Sequence, residues 1–288
     1  MLPLCLKGGA LMNYVLIGGD ARMQSLYRRL KRDGESVFCY AMETAPLPDG
    51  AKCTELPKSA DVYVLPLPSE KRRGHINAPF CPSPPETARL FAELPQGALV
   101  CGGKVSAEMR ETAEMFGIRL YDCMLLPDFV VGNAAITAEA AVSLLMEATP
   151  DCIAGKRILV LGRGRIGKLL GDKLRALGAE VWVMSGNPEA AALAQALGFG
   201  VLPKGGGTSG FCMAVNTAPA MTLSLSQQRG FDAGCVLLEL ASAPGFDPDE
   251  TAHCRLINAP GLPGKYAPDA CGELLRNAVN LIVKEHMQ

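Results

Sequence analysis

The chain has 288 residues, of which 49% are hydrophobic and 20% charged, with a formal net charge of −1. Such a chain is long enough for two ordinary domains, each with a real core. Its charge balance excludes a disordered chain and gives no electrostatic reason to expect nucleic acid or an anionic membrane as partner. The 11 cysteines contain no CxxC pair and no Cys/His cluster, so no metal site is expected. Several sit in apolar runs, as Cys212 and Cys235 do, which suits a reducing compartment. Residues 1–12 lack the apolar run of a leader, and no stretch approaches the length of a membrane span. A cytoplasmic protein is expected.

Strands are predicted at Asn13 to Ile17, Val37 to Tyr40, Asp61 to Leu65, Leu99 to Cys101 and Leu120 to Tyr121, with helices over Ala21 to Arg32 and Ser106 to Phe116. Between Pro66 and Pro85, six prolines and a Lys71-Arg72-Arg73 triplet exclude continuous regular structure. An Ala-rich helix over Asn133 to Met146 links to a second series. That series has strands at Arg157 to Leu161, Glu180 to Met184, Gly200 to Leu202, Phe211 to Val215, Cys235 to Leu240 and Arg255 to Ile257. Helices are expected over Ile166 to Leu177 and Pro188 to Leu197. A last helix, Ala270 to Glu285, is expected to pack on the first domain. Alternating strands and helices imply an α/β protein with doubly wound parallel sheets.

The chemistry-bearing motif is Gly162-Arg163-Gly164-Arg165-Ile166-Gly167, between the buried strand ending at Leu161 and a helix. A lone GxGxxG is weak, but strand and helix on either side make this one strong. The first glycine permits the tight turn, the second admits a pyrophosphate, and the third lets helix and strand pack closely. The helix N-terminus offers free N–H groups to the phosphates. About twenty residues further on, NAD-selective sites carry an acid. Here Ser185-Gly186-Asn187 stands instead. Without a carboxylate to repel a 2′-phosphate, and with Ser185, Asn187, Arg163, Arg165 and Lys168 nearby, the reading favours NADP over NAD. Asn216-Thr217-Ala218-Pro219, Glu239-Leu240-Ala241-Ser242 and Asn258 to Gly264 end later strands at the same sheet edge, where the nicotinamide and substrate would lie.

The order of parts resembles the D-2-hydroxyacid dehydrogenases, two Rossmann-like domains flanking a cleft. Their acid/base histidine has no counterpart, since Pro260 is followed by Gly261, and His75, His253 and His286 lie elsewhere. Four strings carry a closer resemblance: Val15-Leu16-Ile17-Gly18-Gly19-Asp20-Ala21-Arg22, Val160 to Gly167, Leu238-Glu239-Leu240-Ala241-Ser242, and Asn258-Ala259-Pro260-Gly261-Leu262-Pro263-Gly264-Lys265-Tyr266-Ala267-Pro268. Together they resemble the family of dipicolinate synthase A subunits, from about Tyr14 to Val283. Two departures are visible: Glu239 where Asp is expected, and Ala243 where a basic residue is frequent.

The resemblance implies a substrate-binding domain over 1–131, completed by a C-terminal helix over 268–288, and an NADP-binding Rossmann domain over 132–267. It implies oxidation of dihydrodipicolinate by NADP in the mother cell of a sporulating bacterium, beside a dipicolinate synthase B subunit. A homodimer is compatible with it. Arg22 is the first candidate for clamping a substrate carboxylate, with Asn133, Thr137, Glu139, Ser242 and Gly261 as further candidates. No general base is identified. Two other functions stay open: a D-2-hydroxyacid or oxo-acid dehydrogenase, and a non-catalytic NADP-binding module.

Overall fold

A computed structural model describes residues 11–286. The leaderless reading of the first ten residues lies outside the described residues, as do the last two positions of the expected C-terminal helix. The chain divides into two units: one runs up to Val130 and resumes at Pro268, and the other is Val131–Ala267.

The first unit contains β1 (Asn13–Ile17), α1 (Ala21–Arg32), β2 (Ser36–Tyr40), β3 (Lys52–Cys53), β4 (Val62–Val64), β5 (Glu70–Arg72), β6 (His75–Ile76), α2 (Thr87–Glu93), β7 (Leu99–Gly102), α3 (Ala107–Met115) and β8 (Arg119–Asp122). Its sheet is six-stranded and parallel, in the order β3-β2-β1-β4-β7-β8. The Pro66–Pro85 stretch is not wholly irregular, because β5 and β6 form an antiparallel hairpin inside it.

From Pro127 to Ala148 runs α4, which starts in the first unit and ends in the second. It begins six residues before the predicted Asn133, since Pro127 occupies its first turn, where a missing N–H costs nothing. By length and composition it could cross a membrane, which corrects the expectation that no stretch could. Its Ala138, Ala140, Ala141 and Leu145 are instead fully buried in the core of the second unit.

The second unit continues with β9 (Arg157–Leu161), α5 (Arg165–Ala176), β10 (Glu180–Met184), α6 (Pro188–Ala196), β11 (Gly200–Val201), β12 (Met213–Asn216), α7 (Leu225–Arg229), β13 (Val236–Glu239), β14 (Arg255–Asn258) and α8 (Leu262–Tyr266). Its sheet order is β11-β10-β9-β12-β13-β14, all parallel. Both sheets therefore reverse direction beside their first strand, which is where a doubly wound sheet opens a ligand crevice. The expected pair of doubly wound parallel sheets is what the structure shows.

The first unit is completed by α9 (Pro268–His286). Met23, Leu26 and Leu30 on α1 recur at helical spacing and share a core with Leu275, Val279 and Ile282 of α9. The helices approach closely: a Cβ on Gly272 would lie 2.4 Å from Ser25 Oγ. Arg28–Asp269, Arg29–Glu273 and Arg276–Asp33 ion pairs border this contact.

Candidate functional site

Parallel register sets the site's level. Met184, Leu161, Asn216, Glu239 and Asn258 are paired in one row across β10, β9, β12, β13 and β14. The residues that follow, Ser185, Gly162, Thr217, Leu240 and Ala259, all leave the sheet at the same carboxyl edge.

At the switch point between β9 and β12, the three fingerprint glycines do different jobs. Gly162 has φ +93°, and a Cβ on it would lie 2.8 Å from Thr217 Oγ1 and 3.1 Å from Ala218. A Cβ on Gly167 would lie 2.2 Å from the Gly162 carbonyl oxygen. Only glycine permits these two approaches. At Gly164 a Cβ would meet no protein atom within 4 Å. Gly164 is also the N-cap of α5 and offers no side chain to its free N–H groups. An open cradle, uncapped N–H groups and exposed Arg165 and Lys168 on the first turn fit the pyrophosphate of a dinucleotide. Gly162, Gly164, Ile166 and Gly167 would shape that cradle, with the N–H groups at the start of α5 as its donors.

Thr217 and Ala218 lie against the fingerprint. Thr217 Oγ1 donates to the Leu161 carbonyl at 2.9 Å, fixing the β12 loop to the end of β9. Asn216 is different. It is fully buried, its Nδ2 donates to Glu239 Oε1 at 2.7 Å and to the Ala218 carbonyl at 2.9 Å, and its Oδ1 accepts from Ala218 N–H. Its side chain shapes the loop of Ala218 and Pro219 and is spent on protein partners.

Glu239 carries more of the site than the sequence suggested. Besides Asn216, its carboxyl accepts from the N–H of Ala241 at 3.1 Å and of Gly245 at 2.6 Å, and the residue is 4% exposed. One acid thus ties the loops after β12 and β13 together, beside buried Leu240. The signal was present as a charge ending the apolar run Val236-Leu237-Leu238-Glu239. Ser242 and Pro219 are exposed on these loops, and Gly261, φ +68°, heads α8.

At the end of β10, Ser185 Oγ accepts from Asn187 N–H at 3.2 Å, and Asn187 Oδ1 caps α6 by accepting from Glu189 and Ala190 N–H. The Ser185 hydroxyl hydrogen and the Asn187 amide N–H groups remain available as donors. Arg163 turns away from solvent and stacks on Phe199, 4.2 Å from the ring centroid. Burial lowers its pKa, with Arg175 adding to the effect and Asp172 opposing it.

The substrate candidates fare unequally. Arg22 lies on the first turn of α1, inside the predicted helix. There it makes a two-pronged pair with Asp20, Nε–Oδ1 2.9 Å and Nη2–Oδ2 2.7 Å. Asp20 is also the N-cap of α1, accepting from Arg22 N–H. Thr137 is buried on α4 with its hydroxyl on the Asn133 carbonyl, and Glu139 pairs with Lys173 of α5 at 2.9 Å. Those two have structural partners; Asn133 itself is half-buried.

Comparison with known proteins follows the same lines. Residues 13–124 match the family described as the N-terminal domain of the dipicolinate synthase A subunit. The A subunit of dipicolinate synthase from Bacillus subtilis (strain 168) is 26% identical over 290 residues, covering 95% of this chain and 96% of that one. Among solved structures, the A subunit of dipicolinate synthase from Bacillus halodurans superposes with a TM-score of 0.84 at 23% identity, covering 96% of this chain and 99% of that one. D-lactate dehydrogenase from Escherichia coli, in its apo form, gives 0.64 at 12% identity, covering 96% and 98%. The resemblance read from the four sequence strings is borne out.

Proposed function

We propose that this chain, a relative of the dipicolinate synthase A subunit, oxidises dihydrodipicolinate to dipicolinate with NADP during sporulation, in the cytoplasm of the mother cell and beside a B subunit. The observation that carries the reading is relatedness to that synthase subunit over 95% of the chain. The glycine cradle at Gly162 to Gly167 supports a nicotinamide cofactor, and the acid-free Ser185-Gly186-Asn187 end of β10 supports NADP.

The reaction removes a hydride from a dihydropyridine ring and releases a proton to water or a weak base, leaving an aromatic diacid. The bound nicotinamide would supply the hydride acceptor. Aromatisation furnishes much of the driving force, so the protein's task is alignment and charge neutralisation rather than strong acid/base catalysis. That demand agrees with the missing histidine beside Pro260. Arg22 is proposed to hold a substrate carboxylate, exchanging its Asp20 partner for it or binding through its remaining N–H groups. Asn133, Ser242 and Gly261 are proposed as further substrate contacts.

Purified protein supplied with enzymically generated dihydrodipicolinate and NADP should produce NADPH and the ultraviolet bands of dipicolinate. Arg22→Ala should raise KM by about tenfold or more with a smaller change in kcat. Tight cofactor binding with no turnover, with or without the B subunit, would contradict the enzymatic reading.

A further inference from the structure

Arg163, the second fingerprint residue, is a buried cation that no acid touches among the described residues, Asp172 acting on it only from beyond ion-pair distance. It is 8% exposed, and among the described residues its side chain makes one hydrogen bond, a 3.4 Å contact from Nη1 to the Gly167 carbonyl. Among the described residues no carboxylate pairs with it within 4.0 Å. Its other neighbour is the Phe199 ring, which a second cation, Arg175, also approaches, at 4.3 Å from the centroid. Gly171 leaves the room it occupies, since a Cβ there would lie 3.1 Å from Nη1.

An arginine offers five N–H donors, and burying its charge without a carboxylate is costly. The fork is nevertheless not sealed. The buried side-chain nitrogens and oxygens with neither partner nor solvent, among the described residues, are Arg29 Nε, Thr222 Oγ1 and Arg276 Nε. The unbonded nitrogens of Arg163 therefore keep some contact with solvent.

Its backbone is anchored beside the end of β10, because the N–H of Gly162 donates to the Met184 carbonyl at 2.8 Å. Arg163 and Ser185 are thus each one residue past this bond. The ribose of a dinucleotide lies against that strand end in folds of this order, and a 2′-phosphate would meet Ser185 there. Arg165 and Lys168 are exposed and keep their hydration, whereas the charge of Arg163 has been taken out of most of its water.

We propose that Arg163 is the residue by which this domain selects a dinucleotide bearing a 2′-phosphate, swinging off Phe199 to close its fork on that group beside Ser185. The proposal rests on the NADP reading above and names the side chain responsible.

Calorimetric titration of the whole protein with 2′,5′-ADP and with 5′-AMP tests it without turnover. The unmodified chain should bind 2′,5′-ADP more tightly by about tenfold or more. Arg163→Gln should remove most of that margin while leaving 5′-AMP affinity within about twofold. Arg163→Lys, which keeps the charge but not the fork, should restore part of it. Equal losses for both ligands would make Arg163 a support of the cradle and overturn the proposal. A margin unchanged in Arg163→Gln would overturn it too, leaving NADP selectivity to other groups. No margin in the unmodified chain would remove the NADP reading itself, and this assignment with it.

Discussion

Two sheets of one strand order end their first strands differently. In the second unit the chain leaves β9 through Gly162 and enters α5 at Gly164, a residue without a side chain. In the first unit it leaves β1 through Gly18 and Gly19, both at positive φ, and enters α1 at Asp20. The carboxylate of Asp20 sits where a phosphate would sit, accepts an N–H of the helix and neutralises Arg22. Topology alone therefore does not make a dinucleotide site. One crevice leaves its helix N-terminus uncapped for a dinucleotide's phosphates, and in the other the protein's own carboxylate caps the helix.

Substitutions at four positions break or sharpen this contrast. The largest effect is expected at Gly167→Ala, whose Cβ would collide with the Gly162 carbonyl. A loss of about 3 kcal/mol in denaturant unfolding, with loss of NADPH binding, is predicted. Glu239→Ala should cost a similar or slightly smaller amount, about 2–3 kcal/mol, by stranding Asn216 and two backbone N–H groups. Glu239→Gln, which still accepts hydrogen bonds, should cost less. In the first unit, Asp20→Ala should cost about 1 kcal/mol as a lost cap and leave dinucleotide affinity unchanged. A fall in that affinity would show that the two crevices are not independent in the way the contrast requires.

The smallest effect is expected at Asp232, which is exposed. Its carboxylate accepts from Gly210 N–H and Ser209 Oγ, both at 2.8 Å, and these bonds hold its pKa below the usual value. A depressed acid adds stability that is present above its unfolded pKa and is lost as pH falls through its folded pKa. Asp232→Asn should therefore lower the melting temperature slightly at neutral pH, with the difference closing below about pH 4. A gap that persists in acid would contradict that origin.

The sequence predicted several elements to the residue, including Arg157–Leu161 and Glu180–Met184, because long apolar runs with turn signals leave little choice. It missed α7 and α8, five residues each. Neither is long enough to show a period, and Leu262-Pro263-Gly264 reads as loop although proline suits a first helical turn. β3, two residues long, escaped for the same reason. The glycine cradle was legible because its chemistry is backbone chemistry, fixed by residue type. Side-chain commitments were not. Arg22, Asn216, Glu139 and Arg163 were all named as ligand contacts. Only the fold reveals that Asp20, Glu239, Lys173 and Phe199 respectively hold them.

The contrast between the crevices is tested most directly by giving the open one the residue of the closed one. Gly164→Asp places a carboxylate at the head of α5, as Asp20 stands at the head of α1, in a position where its Cβ meets nothing. Aspartate is a good N-cap, so unfolding stability should change by no more than about 0.5 kcal/mol. Titration with NADPH, followed by nicotinamide fluorescence, should show affinity reduced by about a hundredfold or more, as the fixed carboxylate repels the pyrophosphate. Binding retained at full affinity by a folded Gly164→Asp protein would mean that the dinucleotide does not sit on this cradle.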